Sequence, residues 1–226
     1  MSILHTNLGD VHSADPADGE RSRGNSRATI AMKTQYYTAT SLDGFIATED
    51  DSLDWLYSLG DINDTSYPNF IAQVGAIAMG SATYLWMIRH AEKVMEETGS
   101  AWPYTPPTWI FSHRRLPTIA GADVRFVQGD VRPVHAEMIR AAGSRNVWVA
   151  GGGDLAGQFF DAGLLDEAII QVASVTLGKG KQLFPRRVTS PPWKLMSVRQ
   201  VGSGFAELHY ELPIEAAGGA DCTPRS

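Results

Sequence analysis

Apolar and polar positions follow two rhythms along the middle of the chain. Thr34–Thr40, Ala76–Met79, Thr108–Ser112, Val124–Gln128, Asn146–Ala150 and Glu167–Thr176 are short apolar or alternating runs, which predict strands. Between them, Asp64–Val74, Ala82–Lys93, Pro133–Ala142 and Leu155–Ala162 carry the wider spacing of helices. The third of these has proline near its first turn and Gly143 after its end, the usual asymmetry of helix termini. Trp193–Val201 and Phe205–Leu212 flank Gly202-Ser203-Gly204 and predict a closing hairpin. In its second strand Ala206, Leu208, Tyr210 and Leu212 share one face, and Glu207, His209 and Glu211 the other.

This alternation predicts an α/β fold: a mostly parallel sheet with helices on both faces, ended by antiparallel edge strands. Residues 1–31 lack either rhythm and are rich in Asp, Gly, Ser, Arg and Ala, as expected of a disordered N-terminal extension. Residues 214–226 read as a flexible tail, which leaves one domain over 32–213. Met32 opens the first strand and is an alternative translation start, a point that the intact mass of the native protein would decide.

Composition narrows the function classes. With 43% hydrophobic residues, the chain suits one globular core. No stretch approaches the roughly 20 apolar residues of a membrane helix. A basic-then-apolar leader is absent, so a cytoplasmic protein is expected. The single cysteine, Cys222, permits no intrachain disulfide and no cysteine-based zinc site. His135-Ala136-Glu137 matches the first half of the zinc-deaminase signature, but the Pro-Cys-x-x-Cys half has no counterpart. The net charge of −6 argues against broad nucleic-acid binding, while a local arginine or backbone cluster still suits a phosphate.

Several junctions carry candidate chemistry. Gly151-Gly152-Gly153-Asp154-Leu155 joins a strand to a helix, where bare backbone and a helix N-terminus suit either a pyrophosphate or a tight turn capped by Asp154. It is not a Rossmann fingerprint, because it follows a late strand. Gly80-Ser81-Ala82-Thr83 offers hydroxyls and amides to phosphate oxygens, or a helix cap at Ser81. Ser112, His113 and Arg114 end a strand with the donors that a 2′-phosphate needs, or form a solvated basic turn. Ser41-Leu42-Asp43-Gly44 predicts a turn. Leu177-Gly178-Lys179-Gly180 predicts a bend.

The order of these motifs, together with Ala162-Gly163-Leu164-Leu165-Asp166-Glu167, resembles the C-terminal reductase domain of bacterial riboflavin-biosynthesis proteins (the RibD C-terminal domain family), over about Met32 to Leu212. The resemblance implies a dihydrofolate-reductase-like fold, a central sheet of about eight strands, with NADPH across its carboxyl edge. It implies that Ala39 and Ile46 border the nicotinamide and that Gly80, Ser81, Ala82 and Thr83 hold phosphate. Ser112 with His113 or Arg114 would face the 2′-phosphate, and Gly151, Gly152, Gly153, Asp154 and Leu155 would cradle the pyrophosphate. Leu177–Gly180 would border the pocket.

The implied reaction is NADPH-dependent reduction of a ribosylamino-pyrimidine or related small heterocycle. A stand-alone reductase of another substrate, or a non-catalytic NADPH-binding protein, are the alternatives. Dihydrofolate reductases carry a carboxylate on the helix after the first loop, and Ser66–Val74 contains none. Asp43 and Asp54 are the candidate proton relays. A small-molecule substrate and a homodimer are expected, and nucleic-acid or membrane partners are not.

Overall fold

The computed structural model describes residues 31–213, so the expected extension and tail lie outside the described residues, as does Cys222. Ten strands and five α-helices alternate: β1 Thr34–Thr40, β2 Phe45–Ala47, α1 Tyr67–Ile71, β3 Val74–Gly80, α2 Ser81–Arg89, α3 Ala91–Thr98, β4 Thr108–Phe111, β5 Val124–Val127, α4 Val131–Ala142, β6 Asn146–Gly151, α5 Gly153–Asp161, β7 Glu167–Ala173, β8 Lys181–Gln182, β9 Lys194–Val201 and β10 Phe205–Glu211. Eight strands form one sheet in the order β5-β4-β3-β6-β1-β7-β10-β9. The first six run parallel; β10 is antiparallel to both β7 and β9. The expected parallel sheet with a C-terminal hairpin is therefore present. A two-stranded ribbon, β2 with β8, stands apart from it.

The central strands are buried on both faces, so their side chains feed two cores. Tyr36, Ala76, Ala78, Trp109, Val147 and Val149 meet Val134 and Met138 of α4 and Phe159 of α5. Their neighbours Tyr37, Ile77, Met79, Ile110 and Trp148 meet Phe70 of α1 and Tyr84 and Met87 of α2 on the other side. This is the strict alternation of a strand sandwiched between two helix layers. Burying each large side chain stabilises by about 1.5–3 kcal/mol. Gly75 in β3 is required by the same closeness: a Cβ there would lie 2.6 Å from the carbonyl oxygen of Ala142.

Two elements differ from the periodicity. The helix expected over Asp64–Val74 is only Tyr67–Ile71, because Ile62–Asp64 forms a 3-10 turn capped by Asp61 and β3 already starts at Val74. The helix expected over Ala82–Lys93 breaks at His90, whose ring stacks on Trp86 4.3 Å away. In β10 the charged Glu207 is only 2% exposed, because Ser66 and Gln171 cover it. At the sheet edge, β9 exposes Leu195, Met196 and Val198. No described helix is long and apolar enough to cross a membrane.

Candidate active site

In a parallel sheet the carboxyl ends of the strands share one edge, and ligands settle in the crevice there. Here β1, β3, β4 and β6 deliver Thr40, Gly80, Phe111 and Gly151 to that edge. A cavity of about 630 Å³ opens beside it, bordered by Thr38, Ile46, Thr83, Trp86 and Gly151 to Asp154, with Gly180 and Lys181 closing the far side. Gly152 is the N-cap of α5, and Gly153 and Asp154 begin its first turn. The free N–H groups and positive end of α5 therefore meet the cavity.

Steric crowding explains the glycines. A Cβ on Gly153 would lie 2.3 Å from the Leu183 carbonyl oxygen, and one on Gly180 would lie 2.0 Å from that of Ala47. On Gly152 only Ile46 Cδ1 comes near, at 3.8 Å, so the space above that residue is open for a ligand. A bare backbone, a helix N-terminus and a roomy cavity fit a dinucleotide pyrophosphate. The residues that would hold it are Gly151 to Asp154 and Thr83.

A second cavity, about 250 Å³, adjoins the first, and both are lined by Thr38 and Ala150. Its walls are aromatic: Tyr67, Tyr104 and Trp148 meet edge to face, with ring centroids 6.2 Å (Tyr67–Trp148) and 5.6 Å (Tyr104–Trp148) apart. Burial raises the hydroxyl pKa values of Tyr37 and Tyr67 and pushes Tyr104 up to about 12, so all three stay protonated at neutral pH. Gln171 donates to the Tyr37 hydroxyl at 2.6 Å, to Ser66 Oγ at 3.1 Å and to Glu207 Oε2 at 3.1 Å. Glu207 is also bonded by Ser66 and by Arg199, whose Nη2 lies 2.6 Å from Oε1. Its burial would raise its pKa, but the bonds from Ser66, Gln171 and Arg199 outweigh this and hold it below the usual carboxylate range.

The RibD C-terminal domain family matches residues 33–206, most of the chain. The chain belongs to the RibD C-terminal domain family. It is 33% identical over 181 residues to the uncharacterized protein YwjB of Bacillus subtilis, covering 80% of this chain and 98% of that one. A solved structure from Shewanella sp. PV-4, named for riboflavin biosynthesis, is 27% identical with a TM-score of 0.64, covering 80% of this chain and 98% of that one. The deaminase/5-amino-6-(5-phosphoribosylamino)uracil reductase of Thermotoga maritima shares the fold at 16% identity and a TM-score of 0.57, covering 80% of this chain and 56% of the longer one.

Within this RibD C-terminal domain, the residues expected from sequence divide into groups. Ile46, Ala82, Thr83, Gly151, Gly152, Gly153 and Asp154 line the larger cavity, and Ala39 lines the smaller. Leu155 is buried in the core beneath the cradle. Asp154 does not cap α5; Gly152 holds that position, and the Asp154 carboxylate is engaged by Gln158 and by Arg186 at 3.1 Å. Likewise Gly80, not Ser81, is the N-cap of α2. Ser81 Oγ instead accepts from Arg114 Nη2 at 3.4 Å, and the Ser112 hydroxyl accepts from the Arg114 N–H at 3.0 Å. Ser81, Ser112 and Arg114 thus form one cluster on the ends of neighbouring strands β3 and β4, with His113 exposed beside them.

Neither candidate proton relay lines either cavity. Asp43 accepts from the Ser41 hydroxyl at 2.6 Å and from the N–H groups of Leu177 and Gly178 at 3.0 and 2.7 Å, which lowers its pKa. It clamps the turn after β1 to the bend after β7. Asp54 is exposed in the first turn of the 3-10 helix Asp54–Leu59 and does not occupy its N-cap, which is Leu53. His135 of the partial deaminase signature lies within hydrogen-bonding distance (2.8 Å) of Thr34 Oγ1 and packs on Phe159. Sequence reasoning placed Ala39 here but missed the tyrosine walls of the aromatic cavity. Its wall residues come from β1, α1, β6, β7 and β10, from the 3-10 turns between Asp54 and Asp64 and from the loop that holds Tyr104, and no local spacing ties them together.

Proposed function

We propose that this chain is an NADPH-dependent reductase of a small heterocyclic substrate. The observation that carries this reading is the pair of cavities meeting at Thr38 and Ala150: one floored by a glycine cradle and a helix N-terminus, the other walled by aromatic rings. When bound, NADPH supplies a hydride to a polarised C=N or C=O carbon and is left as NADP⁺. The chain's own residues orient the two partners across Thr38 and Ala150 and exclude water with Trp148, Tyr67 and Tyr104. The substrate nitrogen or oxygen takes one proton, which water at the cavity mouth supplies. Ser112 and Arg114, joined to Ser81 next to Ala82 and Thr83 of the cavity wall, would hold the 2′-phosphate.

Family membership and the Thermotoga relative's named activity support a ribosylamino-pyrimidine as one candidate substrate. Calorimetric titration of the purified protein with NADPH and NADH tests the cofactor half. Tight NADPH binding with weaker NADH binding is expected; no binding of either removes the reductase reading. NADPH binding without turnover of any ring substrate would favour a non-catalytic binder instead.

A further inference from the structure

We infer that the aromatic cavity selects a flat heterocycle carrying no phosphate, neutral or cationic in charge. This deepens the reductase reading and rests on it. The first argument is the lining. Among the described residues the only charged one that borders the cavity is Asp61, and one of its carboxylate oxygens already accepts from the Asn63 backbone and side chain. A phosphate buried there would find no lysine, arginine or histidine, and an unpaired charge out of water is strongly disfavoured.

The second argument is the covering segment. From Thr48 to Ile88 the chain contains no lysine, arginine or histidine, and residues 49–64 carry six acids: Glu49, Asp50, Asp51, Asp54, Asp61 and Asp64. Leu56, Gly60, Ile62, Thr65 and Tyr67 of that segment form much of the cavity wall. A phosphate reaching out of the cavity on this side would meet an anionic rim. The cation behind the opposite wall, Arg199, is committed to Glu207, with Nε and Nη2 at 2.8 and 2.6 Å from the same oxygen. Lys181 borders the other cavity and pairs with Asp51 at 3.6 Å.

The third argument is size and surface. At about 250 Å³ the cavity lies below the roughly 300–1,000 Å³ of sites for drug-sized ligands. Tyr67, Tyr104 and Trp148 give the cavity aromatic walls, which suit a planar ring partner. A ring with an amino substituent meets all three conditions. A ribosyl phosphate chain meets none.

The test uses the full chain loaded with NADP⁺ and calorimetric titration of matched pairs. The pairs are 5-amino-6-(ribosylamino)uracil with and without its 5′-phosphate, and neopterin with and without a phosphate; 2,4-diaminopyrimidine serves as a small cationic ring. The phosphate-free member of each pair is expected to bind more tightly by about tenfold or more. Ile62→Lys, at an exposed position on the cavity wall, is expected to narrow that gap by about twofold to fivefold. Phosphorylated members binding as tightly as their partners, or no ring binding to the loaded protein, would overturn the inference. Failure of the protein to take up NADP⁺ or NADPH at all would instead overturn the reductase reading beneath it.

Discussion

The two cavities at the carboxyl edge are built from different materials. The larger one has a floor of bare backbone, glycines and a helix N-terminus, beside side chains such as Ile46, Thr83 and Trp86. The smaller one is made of side chains: tyrosines, a tryptophan and an amide, held by a buried glutamate behind them. At Gly153 and Gly180 the floor tolerates almost no substitution, because neighbouring backbone already fills the space a side chain would need. Side chains can be exchanged one at a time, so the ring cavity is where members sharing this fold can diverge.

The largest expected effect comes from breaking the backbone-built side. Gly153→Ala places a methyl group 2.3 Å from the Leu183 carbonyl oxygen and 2.4 Å from that of Gln182, neither of which can rotate away. We expect a loss at the upper end of about 1–3 kcal/mol in stability, read as a lower denaturant midpoint at unchanged slope, with loss of NADPH binding. A variant that folds and binds like the parent would show that the cradle is looser than its geometry.

A narrower effect is expected at the rim. Arg114→Ala should weaken NADPH by about 1.5–3 kcal/mol and leave NADH almost unchanged. Equal losses for both cofactors would remove Arg114 from the 2′-phosphate role.

The smallest effect sharpens the division between architecture and chemistry. Asp43 holds two backbone N–H groups and a hydroxyl, and its folded pKa is lowered. Its stabilisation is therefore present above the unfolded carboxylate pKa, near 4, and fades as pH falls through the lower folded value. Asp43→Asn should be less stable than the parent at neutral pH, with the gap closing below about pH 4. Turnover per folded molecule should change little. A fall of about 10²–10⁴-fold would make Asp43 the proton relay after all.

The same contrast of materials decides what was legible in the sequence. Strand order, the parallel sheet and the cradle follow from runs such as Asn146–Ala150 followed by three glycines, where each signal is local. Glu207 shows the opposite case. It lies opposite Arg199 on the predicted hairpin, yet it is buried because Ser66 and Gln171 reach it from segments 141 and 36 residues away. Tyr37, Tyr67 and Tyr104 were equally silent, since aromatic residues in such runs read as core, and all three do pack in it. The break at His90 was hidden for a different reason: helical spacing continues through it, and the interruption comes from the Trp86 stack.

Thr38 and Ala150 have a thermodynamic meaning beyond their place in the wall. They face both cavities, so whatever occupies one becomes part of the surface the other presents. Two ligands related in this way are linked, and linkage is reciprocal. The factor by which oxidised cofactor tightens a ring probe must equal the factor by which the probe tightens the cofactor. A substitution at either shared residue should change both factors together.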